Sequence, residues 1–300
     1  MNTLSQVKSE RYSSRYTRGF LRMLTNDGQA LTDKFVEQFY SSKNYQERLE
    51  AIKYLISVSG KYVFPVKIFA DALKDFCSQV KVYVLQHYNF SGEIDAKIKN
   101  CLVDIAQNDE KLQLRTLALE KLSEFNDKEY YDLFFSTSLL KGSRESSAGL
   151  RGLYKLDKEK AYQMAKFRTD SSSGNLDLAI AEIFQHEGNI QDLAFIKQRL
   201  KARNKFNKIE LIRIYLNLLG RLEVDSIIRS NILFISEDII ATSNRELIQL
   251  LIMEFHRFIS VKQEYLTENA ELIKFVNKTI DSLLEKNYQS SIQNDPFGPI

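Results

Sequence analysis

Proline is almost absent from this 300-residue chain, and that near-absence is the strongest constraint on its fold. Only three prolines occur, and Pro296 and Pro299 lie among the last five residues. Proline removes a backbone donor and interrupts the hydrogen-bond ladder of a helix. Because Pro65 is the only one before the C-terminal end, helices can run over nearly the whole length with few interruptions.

Apolar residues recur at helical spacing. In residues 45–58, Leu49, Ile52, Leu55 and Ile56 follow steps of three and four, which places them on one face of a helix. The same spacing occurs in two further segments, 112–125 and 176–184. No sustained alternation of apolar and polar residues between Asn-Gly or Asp-Gly turns indicates strands. We therefore predict an all-α fold.

Capping signals and polar connections divide this pattern into helices. Three segments have the spacing of a capping box, in which a polar side chain and an acid three residues later satisfy backbone N–H groups. They are Asn44 with Glu47, Asn126 with Glu129, and Ser243 with Glu246. The predicted connections are short: 41–43, 107–108, 126–127, 171–174 and 187–188. Short connections favour antiparallel neighbours, so successive helices should form hairpins.

The hairpins are predicted to repeat. Five apolar positions late in successive helices are spaced by about 30 to 37 residues, a period typical of helical-pair solenoids. These positions are Leu55, Leu85, Leu122, Leu153 and Phe184.

An acid and a base six residues apart support the repeat. Asp75 precedes Lys81 and Asp109 precedes Arg115 by this interval. These pairs resemble the ladder of HEAT repeats, in which an acid at the turn and a base on the following helix link neighbouring units. The pattern is incomplete, since Ser42 holds the acid position before Arg48 and the region near Arg144 lacks it. We predict an α-α superhelix of degenerate HEAT/ARM-like helical hairpins.

Three segments are expected. Residues 1–30 form a basic lead-in, 31–293 one HEAT-like helical repeat domain, and 294–300 an irregular tail. From about residue 204 the helices become more aliphatic, as expected of either a divergent end of the array or a terminal bundle. The lead-in is interpreted as a solvated segment or as a docking strip for an acidic partner. Its charges are Lys8, Arg11, Arg15, Arg18 and Arg22, against Glu10.

Charge and composition exclude several classes. The net charge of +3 is small for this length and does not indicate a nucleic-acid partner. No uncharged apolar run is long enough to cross a membrane, so we expect a soluble chain, in a bacterial cytoplasm or periplasm that the sequence does not distinguish. Cys77 and Cys101 are too few for a disulfide framework, and each is predicted to be a small buried apolar residue.

Residues that could carry chemistry are few and scattered. His87, His186 and His256 are the only histidines. His186-Glu187 begins like the zinc-protease motif H-E-x-x-H, but Ile190 stands where the second histidine is needed. No phosphate-binding loop and no G-x-S-x-G nucleophile motif occurs. We predict no catalytic, cofactor-binding or metal-binding residue in this chain.

Small residues, paired acids and aromatic pairs also have structural interpretations. Gly142-Ser143 and Gly149–Gly152 indicate close helix packing or a turn. The acid pairs Glu237-Asp238 and Asp109-Glu110 are interpreted as helix starts, where they complement the helix dipole. The aromatic pairs Tyr130-Tyr131 and Phe134-Phe135 are expected on one helix, filling the core between helices; the alternative is a peptide-binding patch on the concave surface.

Several segments resemble the C-terminal helical domain of bacterial aminopeptidase N-type zinc metallopeptidases, which belong to the gluzincins. The matching segments lie between Asp33 and Leu200, a little over half of the chain. They are Lys34–Phe39, Asn44–Ile52, Ala72–Asp75, Leu156–Ala161, Ser171–Gly174 and Ala181–Phe184.

The resemblance implies a non-catalytic role. In that family a separate upstream domain carries the zinc-binding H-E-x-x-H motif and a Met-Glu-Asn-containing motif, and the helical domain packs on it and restricts access to its peptide cavity. Neither motif is present here, because Met253-Glu254 is followed by Phe255. The expected partners are therefore the catalytic domain of a parent metallopeptidase, which would hold the zinc, and a peptide substrate at the concave face.

Two alternatives stay open. The chain could be a free-standing HEAT-like scaffold that binds a protein or peptide on its concave face. It could also be an enzyme with an unrecognised site, for example in nucleic-acid repair, although the nearly balanced charge argues against a basic groove.

Overall fold

Every regular element in the described part of the chain is helical. The computed structural model describes residues 28–90, 95–202, 205–261 and 270–293. These ranges contain fifteen α-helices, two 3₁₀ turns and no strand, which confirms the all-α prediction. The basic lead-in up to residue 27 and the tail 294–300, with both terminal prolines, lie outside the described residues. Among the described helices, none has the length and apolar character needed to span a membrane.

Backbone contacts divide the chain into two compact units, which meet in sequence between Tyr130 and Tyr131. The described helices of unit 1 are α1 Gly28–Ser41, α2 Tyr45–Ser57, α3 Lys67–Leu73, α4 Ser78–His87, α5 Ala96–Asn108 and α6 Leu112–Glu124, followed by a 3₁₀ turn, Lys128–Tyr130. Unit 2 begins with α7 Tyr131–Ser138, α8 Ser143–Leu156, α9 Lys158–Arg168 and α10 Asn175–Glu187, followed by a 3₁₀ turn, Ile190–Asp192. It continues with α11 Leu193–Ala202, α12 Lys205–Leu222, α13 Asp225–Ile240, α14 Arg245–Val261 and α15 Ala270–Gln293. That residues 31–293 form one continuous repeat domain stays a prediction.

Unit 1 consists of three helical hairpins that repeat. Helix α1 packs on α2, α3 on α4 and α5 on α6, and the second helices α2, α4 and α6 lie side by side. Leu55, Leu85 and Leu122 are fully buried late in these second helices, where the spacing placed them. Pro65 lies two residues before α3, and its carbonyl accepts a hydrogen bond from Ile68 N–H, so this proline does not interrupt a helix. The repeat is confirmed within this unit.

Ion pairs link neighbouring hairpins of unit 1. Arg48 on α2 donates Nε–H to Asp75 Oδ2 at 2.7 Å and Nη2–H to Asp75 Oδ1 at 3.0 Å, and Asp75 lies in the turn of the next hairpin. Lys81 on α4 bonds Asp109 in the following turn at 2.5 Å. The predicted ladder is therefore confirmed for Asp75, Lys81 and Asp109, with each acid bonded to the base of the preceding hairpin. Arg115, the other predicted base, donates to the backbone carbonyls of Asp109 and Glu110. Arg48 takes part although Ser42 precedes it, since its Nη1–H donates to the Ser42 carbonyl at 3.2 Å.

Unit 2 begins with closely packed helices. Helix α8 packs on α7, α9 and α10, with Leu153 and Phe184 fully buried as predicted. A Cβ added at Gly152 would come within 2.3 Å of the Phe134 ring, and one at Gly149 within 2.7 Å of Ser138 N. These glycines therefore permit close helix approach, which confirms that interpretation.

The aliphatic segments predicted beyond residue 204 form long helices. Helix α12 packs on α10, α11, α13 and α14, and α15 packs on both α13 and α14. Tyr215 is fully buried on α12 and donates its hydroxyl to Asn231 Oδ1 on α13 at 2.5 Å. Arg213 on α12 bonds Glu254 on α14 at 2.5 Å. Polar pairs as well as aliphatic contacts thus connect the last helices.

Two predicted caps are wrong by one residue. Asn126 and Ser243 have φ angles of 52° and 51°. Both residues therefore adopt the left-handed conformation typical of a residue just after a helix, and neither caps the next helix. The next residues accept the cap bonds: Asp127 from Glu129 N–H and Asn244 from Leu247 N–H, both at 3.1 Å.

Asn44 is confirmed as a cap, because it accepts from Gln46 N–H at 2.9 Å. The acid of this predicted box does not reach back to the Asn44 backbone. Instead, Glu47 accepts a hydrogen bond from the Ser42 hydroxyl at 2.6 Å, and Asn44 N–H donates to that same hydroxyl oxygen at 3.0 Å. The Ser42 hydroxyl therefore bonds both Glu47 and the Asn44 backbone, so the two residues of the predicted capping box are linked through Ser42.

Three further placements differ from prediction. Helix α5 continues through Gln107 and Asn108, and the connection begins at Asp109, whose side chain accepts from Lys111 N–H. Glu237-Asp238 lies near the end of α13, not at a helix start; Asp238 bonds Lys208 at 2.7 Å. Tyr130 ends a 3₁₀ turn and is not on the helix of Tyr131.

Candidate functional site

The second helices of unit 1 bury one stripe of residues and present another to a shared groove. On α2 the buried stripe contains Ile52 and Leu55. Leu49, predicted on the same face, is only half-buried and lines the groove with Lys53. The groove crosses α2, α4 and the start of α6 and has a volume of about 270 Å³. We call it the α2–α4–α6 groove, and its lining residues are Leu49, Lys53, Ser78, Gln79, Val82, Tyr83, Gln86, Lys111 and Gln113.

Tyr83 is the aromatic residue of this groove. Its ring stacks on His87 one helical turn later, with centroids 4.0 Å apart and planes at 12°. Lys53 Nζ lies 5.3 Å from the Tyr83 ring centroid, within the range of a cation–π contact. These two contacts hold an amphipathic ring in one orientation, which suits it to serve as an anchor for a bound chain.

Three amide side chains line the groove together with Tyr83. Gln79 and Gln86 lie on α4 and Gln113 lies on α6, and all three are exposed. Within the described part of the chain, none of the three has a hydrogen-bond partner. An amide side chain offers both a donor and an acceptor, the same pair that a peptide group offers. The groove therefore presents hydrogen-bonding groups that suit a polypeptide backbone.

A hydrogen bond joins Lys111 and Ser78, two lining residues of the groove. Lys111 Nζ donates to Ser78 Oγ at 2.5 Å, joining the start of α6 to the start of α4. Both residues also line a second cavity, the turn cavity, with a volume of about 390 Å³. Besides Ser78 and Lys111, the turn cavity is lined by Leu73, Lys74, Phe76, Lys81, Cys101, Asp104, Ile105, Asn108, Asp109, Glu110 and Leu114.

The turn cavity is lined by the Lys81–Asp109 ion pair, a buried thiol and one exposed aromatic ring. Burial by itself would raise the pKa of Asp109, but hydrogen bonds from Lys81 and from Lys111 N–H, with the charges of Lys81 and Arg115, hold its pKa below the usual value. Burial raises the pKa of the Cys101 thiol, which keeps it protonated and unsuited to act as a nucleophile. Phe76 is 85% exposed, with the Arg48 guanidinium carbon 4.4 Å from its ring centroid.

The three histidines do not form a metal site. His87, His186 and His256 lie on three different helices and are all exposed. In the described ranges, no group of three His, Cys, Asp or Glu side chains could hold a metal ion. Cys101 is buried as predicted, whereas Cys77 is half-buried beside the Asp75 turn.

In each aromatic pair, one ring is buried in the core and the other is half-buried. Tyr130 and Phe134 are buried, which confirms the core interpretation for these two. Tyr131 and Phe135 on α7 are half-buried, and their rings are parallel within 3° at 6.3 Å.

Sequence reasoning missed the groove residues. A signal existed on α4, where Gln79, Val82, Tyr83 and Gln86 follow steps of three, one and three and form a stripe beside the buried Val80, Val84 and Leu85. Which neighbouring helix completes this stripe is not encoded in the spacing of α4 itself.

Comparison with known proteins found no relative of this chain. No protein-family model, no curated protein and no solved structure matches the chain. The resemblance of the quoted segments to aminopeptidase helical domains therefore stays a prediction, and the function is argued from the groove.

Proposed function

We propose that this chain is a non-catalytic helical binding module whose α2–α4–α6 groove holds an extended segment of a protein partner. The observation that carries the proposal is the set of three amide side chains without protein partners around the oriented ring of Tyr83. Amides bind the backbone of an extended segment, and the tyrosine packs against one of its side chains.

The rest of the groove suits a polypeptide. Leu49 and Val82 are half-buried and provide apolar contact between the polar groups. The groove crosses the second helices of three successive hairpins, so successive residues of an extended segment meet different helices. Because the stacked helices fix the backbone positions of the lining residues before binding, ordering of the backbone costs entropy mainly in the partner.

Selection of displayed peptides tests this proposal. Short random peptides are selected on the full-length chain, and a selected peptide is then measured by fluorescence anisotropy. Tyr83→Ala is expected to weaken binding about tenfold or more, the size of a hot-spot contact. The matched control is Phe167→Ala, which removes an exposed ring in unit 2. Equal affinity of wild type and Tyr83→Ala, with unchanged melting temperature, would contradict the proposal.

A more specific second proposal rests on the sequence resemblance. In it, the module packs on the catalytic domain of a zinc aminopeptidase-like metallopeptidase and restricts access to its peptide cavity. The segment Asn44–Ile52, which carries part of the resemblance, includes the cap and first turns of α2, and Leu49 within it lines the groove. The described residues do not fit a zinc site, so no residue of this chain is assigned to zinc.

An activity assay tests the non-catalytic part of both proposals. We expect the purified chain to hydrolyse no aminoacyl chromogenic substrate, with or without added zinc. Zinc-dependent turnover above that of a heat-inactivated sample would show that the chain carries its own active site.

A further inference from the structure

The two ammonium groups of the α2–α4–α6 groove are not neutralised by the protein. Lys53 contacts only the face of the Tyr83 ring, and Lys111 donates to the uncharged hydroxyl of Ser78. Neither lysine forms an ion pair within the described ranges. No Asp or Glu is among the residues that line the groove.

Two neighbouring cations of unit 1, Arg48 and Lys81, are paired with acids of the same unit. Arg48 is bonded to Asp75, and Lys81 to Asp109, and both acids are in turn held by the backbone N–H groups of Cys77 and Lys111. Both acids therefore already have their partners within the ladder. Both charged side chains among the lining residues of the groove, Lys53 and Lys111, are positive. Asp104 and Glu110 line the adjoining turn cavity.

We propose that the segment held in this groove is acidic, with carboxylate side chains that pair with Lys111 and Lys53. The inference rests on the proposed function and specifies the chemistry of the partner. A carboxylate at Lys111 forms a hydrogen bond in which both partners are charged, whereas the bond to the Ser78 hydroxyl has only one charged partner. Ser78 is then released to donate to the same carboxylate.

The lysines and the glutamines have separate roles in this arrangement. Gln79, Gln86 and Gln113 bind peptide groups and are indifferent to side-chain charge. Lys53 and Lys111 select for acidic residues through charge complementarity, and they should also accelerate encounter with an acidic segment. Binding is therefore expected to weaken as salt screens this attraction.

The test compares the composition of selected peptides. Short random peptides are selected in parallel on the wild-type chain, on Lys53→Glu/Lys111→Glu and on a control, Lys67→Glu/Lys97→Glu. The control changes the same net charge at exposed lysines outside the groove. We expect enrichment of Asp and Glu on wild type and control, and enrichment of Lys and Arg on the groove variant. A selected acidic peptide should bind Lys111→Gln about tenfold more weakly, the size expected of one charge-assisted hydrogen bond.

The possible outcomes separate the two proposals. Peptides that bind through Tyr83 but show no enrichment of acids on the wild-type chain would overturn the acidic partner and leave the groove function standing. The same acid enrichment on wild type and on the groove variant would also overturn it. Selection of no peptide at all would overturn both.

Discussion

Asp75 combines two structural roles in one side chain. Its Oδ1 accepts from Cys77 N–H at 2.7 Å in the turn before α4, and the carboxylate receives two hydrogen bonds from Arg48 on α2. Both side chains of this pair are more than nine-tenths buried. The geometry is bidentate, and the Arg48 pKa is raised above its usual value chiefly by the hydrogen bond to Asp75. The residue thus fixes a turn and connects two hairpins.

Replacing Asp75 by Ala should destabilise unit 1 strongly. The change leaves the buried Arg48 guanidinium without its carboxylate, which typically costs about 3–5 kcal/mol of unfolding free energy. The measurement is chemical denaturation of wild type and variant. Asp104→Ala is the control, because this exposed acid accepts only a surface hydrogen bond from Asn108. A loss for Asp75→Ala no larger than that of the control would contradict the structural role of the pair.

Asp109 gives the ladder a defined pH dependence. Its pKa in the folded state lies below the ordinary value of 3.8. A depressed folded pKa stabilises the fold at pH above the unfolded pKa, and this contribution is lost as pH falls through the folded pKa. The stability difference between wild type and Asp109→Asn should therefore be full near neutral pH and shrink below about pH 4. Denaturation midpoints at several pH values measure it; a difference that stays constant into acid would contradict the ion pair.

At the scale of elements, helix α6 has one buried face in the core of unit 1 and one exposed face. Leu122 is fully buried among the second helices, whereas Leu112 at the start of the same helix is 38% exposed. The two leucines have the same chemistry and differ only in their position on the helix. Burial, not composition, therefore determines what each contributes to stability.

The pair of leucines provides a matched prediction. Leu122→Ala should cost about 2–5 kcal/mol, because it removes transfer free energy and leaves a cavity in the core. Leu112→Ala should cost less than about 1 kcal/mol, since its side chain is already partly in water. Denaturation midpoints of the two variants decide this. Equal shifts would mean that the buried face of α6 is assigned wrongly.

At the scale of the whole molecule, the chain forms two compact units, each with its own buried residues. In unit 1 the anchors Leu55, Leu85 and Leu122 lie on the three second helices. In unit 2, Phe184, Tyr215 and Phe255 are the large fully buried side chains of α10, α12 and α14. Compact units with separate cores can open separately in the native state.

Hydrogen exchange measured by mass spectrometry should reveal these units. We expect Leu122→Ala to reduce amide protection in α2, α4 and α6 and to leave protection in α12 and α14 at the wild-type value. The reason is that the cavity weakens only the core that contains it. The reciprocal variant, Phe255→Ala, serves as control and should affect only unit 2. Equal loss of protection across both units would contradict this expectation.

Local pattern predicted helices better than it predicted their exact ends. The three predicted segments 45–58, 112–125 and 176–184 coincide with α2, α6 and α10 to within a few residues. The cap positions at Asn126 and Ser243 are wrong because each is followed by a second short polar residue. Asp127 and Asn244 have equal capping ability, and the left-handed φ of the residue before each one decides which acts.

The amino-acid sequence by itself determined the all-α fold, the buried anchors and the acids of the ladder. Each of these depends on residues a few positions apart or on a period that repeats along the chain. Only the tertiary structure decided that Lys53, Tyr83 and Lys111 share one groove, because they lie on α2, on α4 and directly before α6, which meet through packing. The physical reason is that spacing fixes which face of a helix is buried, whereas side-by-side packing fixes which exposed residues become neighbours.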